Sequence, residues 1–150
     1  MEQGRLAGID YGTVRIGVAI CDPERTMALP YLVYVRRNDK LDDAFFRQFA
    51  QDERIVKFVV GLPLHLDGRI SDKALEAVAF GEHLTALTGL PVDYMDERFT
   101  SVEAIESIQP AHWTTKKRKK KIDAIAAQIL LEQYIQRGCV GTSVPESIDD

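Results

Sequence analysis

The chain has 150 residues, 45% of them hydrophobic, a size that suits one folded domain with a full core. Its formal net charge of -4 excludes a protein coated in positive charge, so any contact with a polyanion has to come from a local patch. No apolar stretch approaches the ~20 residues of a bilayer-spanning helix, and no signal peptide is recognisable. These two observations predict a soluble protein of the cytoplasm. Cys21 and Cys139 lack metal-ligand spacing and are predicted to be free thiols in that reducing compartment.

In chain order the predicted elements are strands at 6–9, 16–20 and 31–35, a helix at 41–50, a strand at 55–62, a helix at 72–88, a strand at 91–95, and helices at 100–109 and 122–138. The first two strands are joined by a glycine-containing turn, which is typical of a hairpin. Gly89 and Pro91 are expected to end the helix at 72–88, and residues 111–121 are predicted to form a loop.

Three strands in a meander, followed by alternating helices and strands, predict an α/β domain with a mixed sheet. We expect this single domain to span residues 1–140 and the polar, acidic residues 141–150 to form a flexible tail. The near-continuous apolar run at 58–62 indicates a strand covered on both faces, as parallel strands usually are. Functional groups should then collect near the carboxyl ends of the parallel strands.

Three acidic residues are candidate metal ligands and catalytic groups. Asp10 ends the first predicted strand, Glu97 follows the fifth, and Asp123 lies in the predicted first turn of the last helix. Carboxylate oxygens are the ligands of hard cations such as Mg²⁺, and two such ions can stabilise both the attacking and the leaving oxygen of a phosphodiester cleavage. Clustered carboxylates repel one another, so without a cation their pKa values should rise.

Each acidic residue also has a purely structural interpretation. Asp10 could cap a hairpin turn, and the helix dipole would favour Asp123 in a first turn whatever its function. Glu97 and Arg98 could form a surface ion pair, with Asp96 turned inward. Because side chains of a strand alternate between its two faces, only one of Asp96 and Glu97 can face the site, and we favour Glu97. The turn with Asp123 should approach the sheet closely because it carries the small residues Ala124, Ala126 and Ala127.

Six consecutive basic residues precede Asp123 and are predicted to bind a nucleic-acid backbone with little sequence discrimination: Lys116, Lys117, Arg118, Lys119, Lys120 and Lys121. The alternative is an ordinary solvated loop. Arg98 is a further candidate phosphate ligand, through a bidentate contact. Trp113 could stack on an unpaired base or pack against the sheet, and His65 is more simply read as a loop residue without a catalytic role.

Four ordered motifs cover roughly residues 4–138: Asp10-Tyr-Gly-Thr-Val-Arg-Ile-Gly-Val-Ala19, Val60-Gly-Leu-Pro-Leu-His-Leu-Asp-Gly68, Asp96-Glu-Arg-Phe-Thr100 and Lys119-Lys-Lys-Ile-Asp-Ala-Ile-Ala-Ala127. In this order and spacing they resemble the YqgF family of RNase H-like proteins, which are relatives of the RuvC resolvases and are also described as pre-16S rRNA nucleases. Val14 stands where the family commonly has lysine, and His65 where it commonly has asparagine.

The resemblance implies an RNase H-like fold whose five-stranded mixed sheet has the order 3-2-1-4-5, the first three strands forming an antiparallel meander. It implies a nuclease that matures the 5′ end of pre-16S ribosomal RNA in the cytoplasm, with Mg²⁺ or Mn²⁺ at Asp10, Glu97 and Asp123. In that strand order the fifth strand lies two strands from the first, roughly 10 Å away. Glu97 then has to reach across the fourth strand.

Three other functions stay open at this point. The resolvase relatives cut four-way DNA junctions, which normally requires a dimer that presents two sites, and this chain could be a monomer or a homodimer. A non-catalytic RNA-binding factor in ribosome assembly would use the basic run alone. Asp10-x-Gly-Thr13 also resembles the phosphate loop of actin-like and sugar-kinase-like ATPases, but those enzymes need a second, similar lobe that 150 residues do not supply.

Overall fold

The computed structural model describes residues 4–65, 67–97, 115–142 and 144, and for residues 115–120 it describes the backbone alone. The elements are β1 (Arg5–Asp10), β2 (Arg15–Cys21), β3 (Ala28–Val35), α1 (Asp39–Asp52), β4 (Ile55–Leu62), α2 (Asp72–Thr88), β5 (Val92–Asp96) and α3 (Thr115–Gln136). The predicted helix at 100–109 lies outside the described residues, as do Arg98 and Trp113.

The five strands form one mixed sheet in the order β3-β2-β1-β4-β5. β2 pairs antiparallel with both β1 and β3, whereas β4 pairs parallel with β1 and with β5. This topology confirms the predicted α/β fold, its strand order and its initial antiparallel meander.

Both faces of the sheet are covered. On β4, Phe58 and Val60 join the core beneath α1 and α2, while Val59 between them joins the core beneath α3. The largest buried side chain of the second core is Tyr134 of α3. Side chains of a strand point alternately to its two faces, so the continuous apolar run of β4 serves two cores, as predicted.

Two element ends follow directly from local chemistry. The Ser71 side chain accepts a hydrogen bond from the Ala74 N–H at 3.0 Å and begins α2, and Gly89 ends α2 with a φ of 75°. β3 begins at Ala28, earlier than predicted, because Pro30 interrupts the apolar pattern in the sequence. Proline is tolerated here because β3 is an edge strand.

The predicted loop at 111–121 is wrong from Thr115 onward, because α3 begins there and contains the basic run. Lysine and arginine are good helix formers, and no glycine or proline interrupts the run, so the helix extends back from its packed segment. Asp123 consequently lies in the third turn of α3, not in the first turn as predicted. The dipole acts mainly on the first turn, so it gives no reason for an aspartate at this position.

Beyond α3 the chain returns to the free edge of β5. The Thr142 N–H donates to the Tyr94 carbonyl oxygen at 2.7 Å, and the Asp96 N–H donates to Thr142 Oγ1 at 3.0 Å.

Both Cys21 and Cys139 are free thiols, as predicted. Among the described helices, none is long and apolar enough to span a membrane.

Candidate active site

Asp10, Glu97 and Asp123 line one open cleft with a volume of about 390 Å³. Asp10 is the last residue of β1, Glu97 directly follows β5, and Asp123 comes from α3. Asp96, the alternative to Glu97, is not among the described residues that line this cleft. The structure therefore brings together the three acidic residues singled out from the sequence.

A glycine lets Glu97 cross the fourth strand. Ile9 pairs with Val60, and continuing this register places Asp10 opposite Gly61, between β1 and β5. A Cβ atom on Gly61 would lie 1.8 Å from Glu97 Oε1, so the Glu97 side chain lies directly over the bare backbone of β4. There the carboxyl group reaches Asp10 and hydrogen-bonds with it.

Two more glycines bring α3 down onto the same face of the sheet. A Cβ atom on Gly17 would lie 2.0 Å from the backbone oxygen of Asp123, and one on Gly8 would lie 2.8 Å from that of Ala127. Ala124 and Ala127 are buried at this contact, in line with the predicted role of small helix residues, whereas Ala126 is only partly buried. The sequence analysis did not identify Gly8 and Gly17 as the sheet residues of this contact. The available signal was a glycine in the interior of a buried strand, which often marks the close approach of another backbone.

The Asp10 and Glu97 carboxyl groups share a proton. Burial is the main cause that raises the pKa of Asp10 to about 6; the hydrogen bond from Glu97 lowers it and the charge of Asp123 raises it. Burial also raises the pKa of Glu97 well above its ordinary value, and the charge and hydrogen bond of Asp10 add to the shift. Because their hydrogen bond lowers the pKa of Asp10 and raises that of Glu97, Glu97 is the protonated donor of the pair and Asp10 the acceptor.

Asp123 is held by an arginine that sequence reasoning did not single out. Arg15 Nε donates to Asp123 Oδ2 at 3.1 Å, and the two side chains are 43% and 23% exposed. Within the part of the chain that the structure describes, no three acidic, histidine or cysteine side chains are arranged to enclose a metal ion. The reason is visible in the contacts, since Asp10 bonds Glu97 and Asp123 bonds Arg15.

The donor set nevertheless fits a hard divalent cation. Two desolvated carboxyl groups that share a proton offer oxygen ligands on rigid elements, and a cation would replace the proton between them. The second oxygen of Asp123 takes no part in the Arg15 contact.

Lys73 and Glu76 of α2 also line the cleft and were missed from the sequence. They stand one helical turn apart at the start of α2, directly after the loop of the Gly61-Leu-Pro63 motif, and this placement was the available signal. His65 does not appear among the described cleft residues, whereas Val14 does and is 64% exposed.

A half-buried hydrogen-bond network anchors the turn that follows Asp10. Arg36 Nη1 donates to the Tyr11 hydroxyl at 2.8 Å, and the Arg36 N–H donates to the Val14 carbonyl at 2.9 Å. Arg36 is itself paired through Nε with Asp42, which is only 5% exposed and also accepts from the Tyr34 hydroxyl at 2.7 Å. Both ends of the turn at 11–14 are thus tied to one arginine.

We expect Tyr11→Phe to lower the free energy of unfolding by about 1 kcal/mol, because it leaves the Arg36 donor without its acceptor. Urea denaturation at neutral pH measures the change. Tyr31→Phe is the matched control, since the Tyr31 hydroxyl bonds Glu53 at an exposed site and should contribute less. Equal losses in the two variants would contradict the anchoring role of Tyr11.

Comparison with known proteins gives consistent results at the level of sequence. A family model described as "RuvX: Holliday junction resolvase" matches residues 4–137. A protein of Rhodopirellula baltica named "Putative pre-16S rRNA nuclease" is 46% identical over 98% of this chain and 91% of its own length. A protein of Syntrophomonas wolfei with the same name is 36% identical over 91% of this chain and 97% of its own length.

Solved structures share the fold at low sequence identity. Thermus thermophilus RuvC in complex with a Holliday junction substrate aligns with a TM-score of 0.55 at 16% identity, over 92% of this chain and 98% of that one. The fowlpox virus resolvase in complex with Holliday junction DNA aligns with a TM-score of 0.54 at 11% identity, over 91% of this chain and 99% of that one. With an RNase H-like sheet and a family match over nearly its whole length, the chain belongs to the RuvX (YqgF) family.

Proposed function

We propose that this protein is a metal-dependent nuclease that hydrolyses phosphodiester bonds and processes the 5′ end of pre-16S ribosomal RNA in the cytoplasm. The observation that carries the proposal is the passage of Glu97 over Gly61 onto Asp10, in the cleft that Asp123 also lines. A structural carboxylate would not need to be buried against a second one, because that arrangement raises the pKa of both. The names of the relatives point to precursor rRNA as the substrate.

Asp10 and Glu97 would hold Mg²⁺ or Mn²⁺ together, with Asp123 as the third ligand. The cation would supply Lewis-acid stabilisation of the charge that develops on the phosphoryl oxygens and would make water a better nucleophile. The three carboxylates sit on rigid elements: Asp10 and Glu97 at strand ends, and Asp123 on a helix whose backbone rests on Gly17. A site on rigid elements keeps the geometry that the reaction requires.

The basic run from Lys116 to Lys121 would hold the substrate backbone. These six residues occupy the first turns of α3 and lead directly to Asp123, so a backbone bound along them would arrive at the acidic cleft. Arg98, next to Glu97 in the chain, would contribute a further phosphate contact. Such contacts position the strand and leave selectivity to the shape of the RNA.

A second candidate function is the resolution of four-way DNA junctions. The family model carries the resolvase description, and a similarly folded RuvC has been solved with a junction substrate. That activity would require two sites in a dimer, so a strictly monomeric protein in solution would speak against it.

The test is the cleavage of a labelled pre-16S rRNA 5′ leader and of a labelled four-way DNA junction, with Mn²⁺, Mg²⁺ or EDTA. We expect cation-dependent cleavage of the RNA by the wild type and none by Asp10→Asn. Asp52→Asn, a surface change remote from the cleft, should cleave like the wild type. Cutting of the junction alone would favour the resolvase, and inertness toward both substrates would favour a binding protein without catalysis.

A further inference from the structure

Two cationic side chains line the acidic cleft from opposite sides of β1. Arg15 begins β2, on one side of β1, and Lys73 belongs to α2, which packs over β4 and β5 on the other side. We propose that Arg15 and Lys73 bind the phosphates of the nucleic-acid strand inside the cleft and so fix its path over Asp10. This inference rests on the proposed nuclease function and names substrate ligands that are separate from the basic run of α3.

Arg15 is oriented by Asp123 without being used up by it. The ion pair engages Nε, whereas a guanidinium group has five N–H donors, four of them on the two terminal nitrogens. With 43% of its side chain exposed, Arg15 can present those nitrogens to a phosphate in a bidentate contact. The contact with Asp123 therefore fixes the direction of the Arg15 side chain and leaves its four terminal N–H donors for a phosphate.

Lys73 has a different geometry and the same charge. It lies in the first turn of α2, where the Ser71 cap fixes the helix start, and its side chain is exposed. Among the described residues no carboxylate pairs with Lys73, although Glu76 stands one turn away. An unpaired ammonium group at the rim of a cleft is available to a phosphate.

The electrostatics of the cleft supply the reason for both cations. The described lining contains four acidic residues, Asp10, Glu76, Glu97 and Asp123. A polyanion that approaches them is repelled unless positive charge lies beside the acids. A divalent cation would neutralise the charge of the phosphate being cleaved, whereas Arg15 and Lys73 would neutralise the neighbouring phosphates of the strand.

The experiment measures salt-dependent binding of a labelled single-stranded fragment of the pre-16S leader to Asp10→Asn protein in EDTA. The logarithm of the binding constant falls as the logarithm of the salt concentration rises, and each lost phosphate contact reduces the magnitude of this slope by about 0.7 for a single strand. We therefore expect Arg15→Gln and Lys73→Gln each to reduce the slope by about 0.7, and the double variant by about twice as much. The matched controls are Arg47→Gln and Lys40→Gln, exposed positions on α1 that do not line the cleft and should leave the slope unchanged.

Asp123→Asn in the same background separates phosphate binding by Arg15 from mere support of Asp123. Both Arg15→Gln and Asp123→Asn break the ion pair between the two side chains. If Arg15→Gln reduced the slope only because this pair is lost, Asp123→Asn would reduce it equally. We expect Asp123→Asn to retain the slope, because it leaves the guanidinium group of Arg15 in place. Thermal unfolding checks that each variant folds. If Arg15→Gln does not fold, the exposed Lys73→Gln, compared with Lys40→Gln, decides the test alone, and an unchanged slope in it would overturn the inference.

Parent-like slopes in both Arg15→Gln and Lys73→Gln would overturn the inference. Because binding is measured without cleavage, the two proposals fail separately. If the wild type cleaves RNA while the slopes stay unchanged, the nuclease stands and its phosphate contacts lie elsewhere. If the slopes fall while the wild type cleaves neither substrate, the cleft binds nucleic acid and the nuclease proposal fails.

Discussion

Gly61→Ala is expected to abolish cleavage as completely as Asp10→Asn, although it alters no acidic residue. The added methyl group would occupy the space of Glu97 Oε1, 1.8 Å away, and would push the carboxyl group off β4 and away from Asp10. A displacement of about 1 Å in a catalytic group can cost roughly 100-fold in rate, and this displacement is larger. Single-turnover cleavage and calorimetric Mn²⁺ binding should both show the loss.

Val60→Ala is the matched control for Gly61→Ala. Val60 is the neighbouring residue on β4, and it is fully buried in the core on the opposite face of the sheet. Its truncation should lower stability by roughly 1 kcal/mol or more and leave Mn²⁺ binding intact. If Gly61→Ala protein bound Mn²⁺ and cleaved like the wild type, the route of Glu97 across β4 would not matter to the site.

Without divalent cations, the folded state is expected to lose about 3 kcal/mol of stability between pH 3 and pH 7, because the pKa of Asp10 is 3.8 in the unfolded chain and about 6 in the folded protein. In this range the folded protein binds more protons than the unfolded chain, so the free energy of unfolding falls as the pH rises. The raised pKa of Glu97 has the same sign and adds to the decline.

Urea denaturation across this pH range, in EDTA and in Mn²⁺, measures the decline. Asp42 acts in the opposite direction, because its lowered pKa adds stability that is lost as the pH falls. The informative quantity is therefore the difference between the wild type and Asp10→Asn at each pH. The decline should shrink in Asp10→Asn and in wild type saturated with Mn²⁺. Identical profiles for the wild type and Asp10→Asn in EDTA would contradict the shared-proton pair.

Most of the secondary structure could be predicted because its signals are local. β4 and α2 have the bounds expected from the sequence, since an apolar run and a helix with cap residues at both ends mark them within a few residues. The start of α3 was mispredicted because a basic run is compatible with either a loop or a helix. Packing of the following turns against the sheet decided for the helix.

From the sequence alone came three candidate acids, an α/β sheet and, through four motifs, the family. Tertiary structure alone decided how the acids meet, because that depends on the register between strands distant in the chain. The register sets Gly61 between Asp10 and Glu97, and no pattern within a single strand shows that a glycine there makes room for a side chain from β5. The pairing of Arg15 with Asp123, 108 positions apart, is likewise a product of the fold.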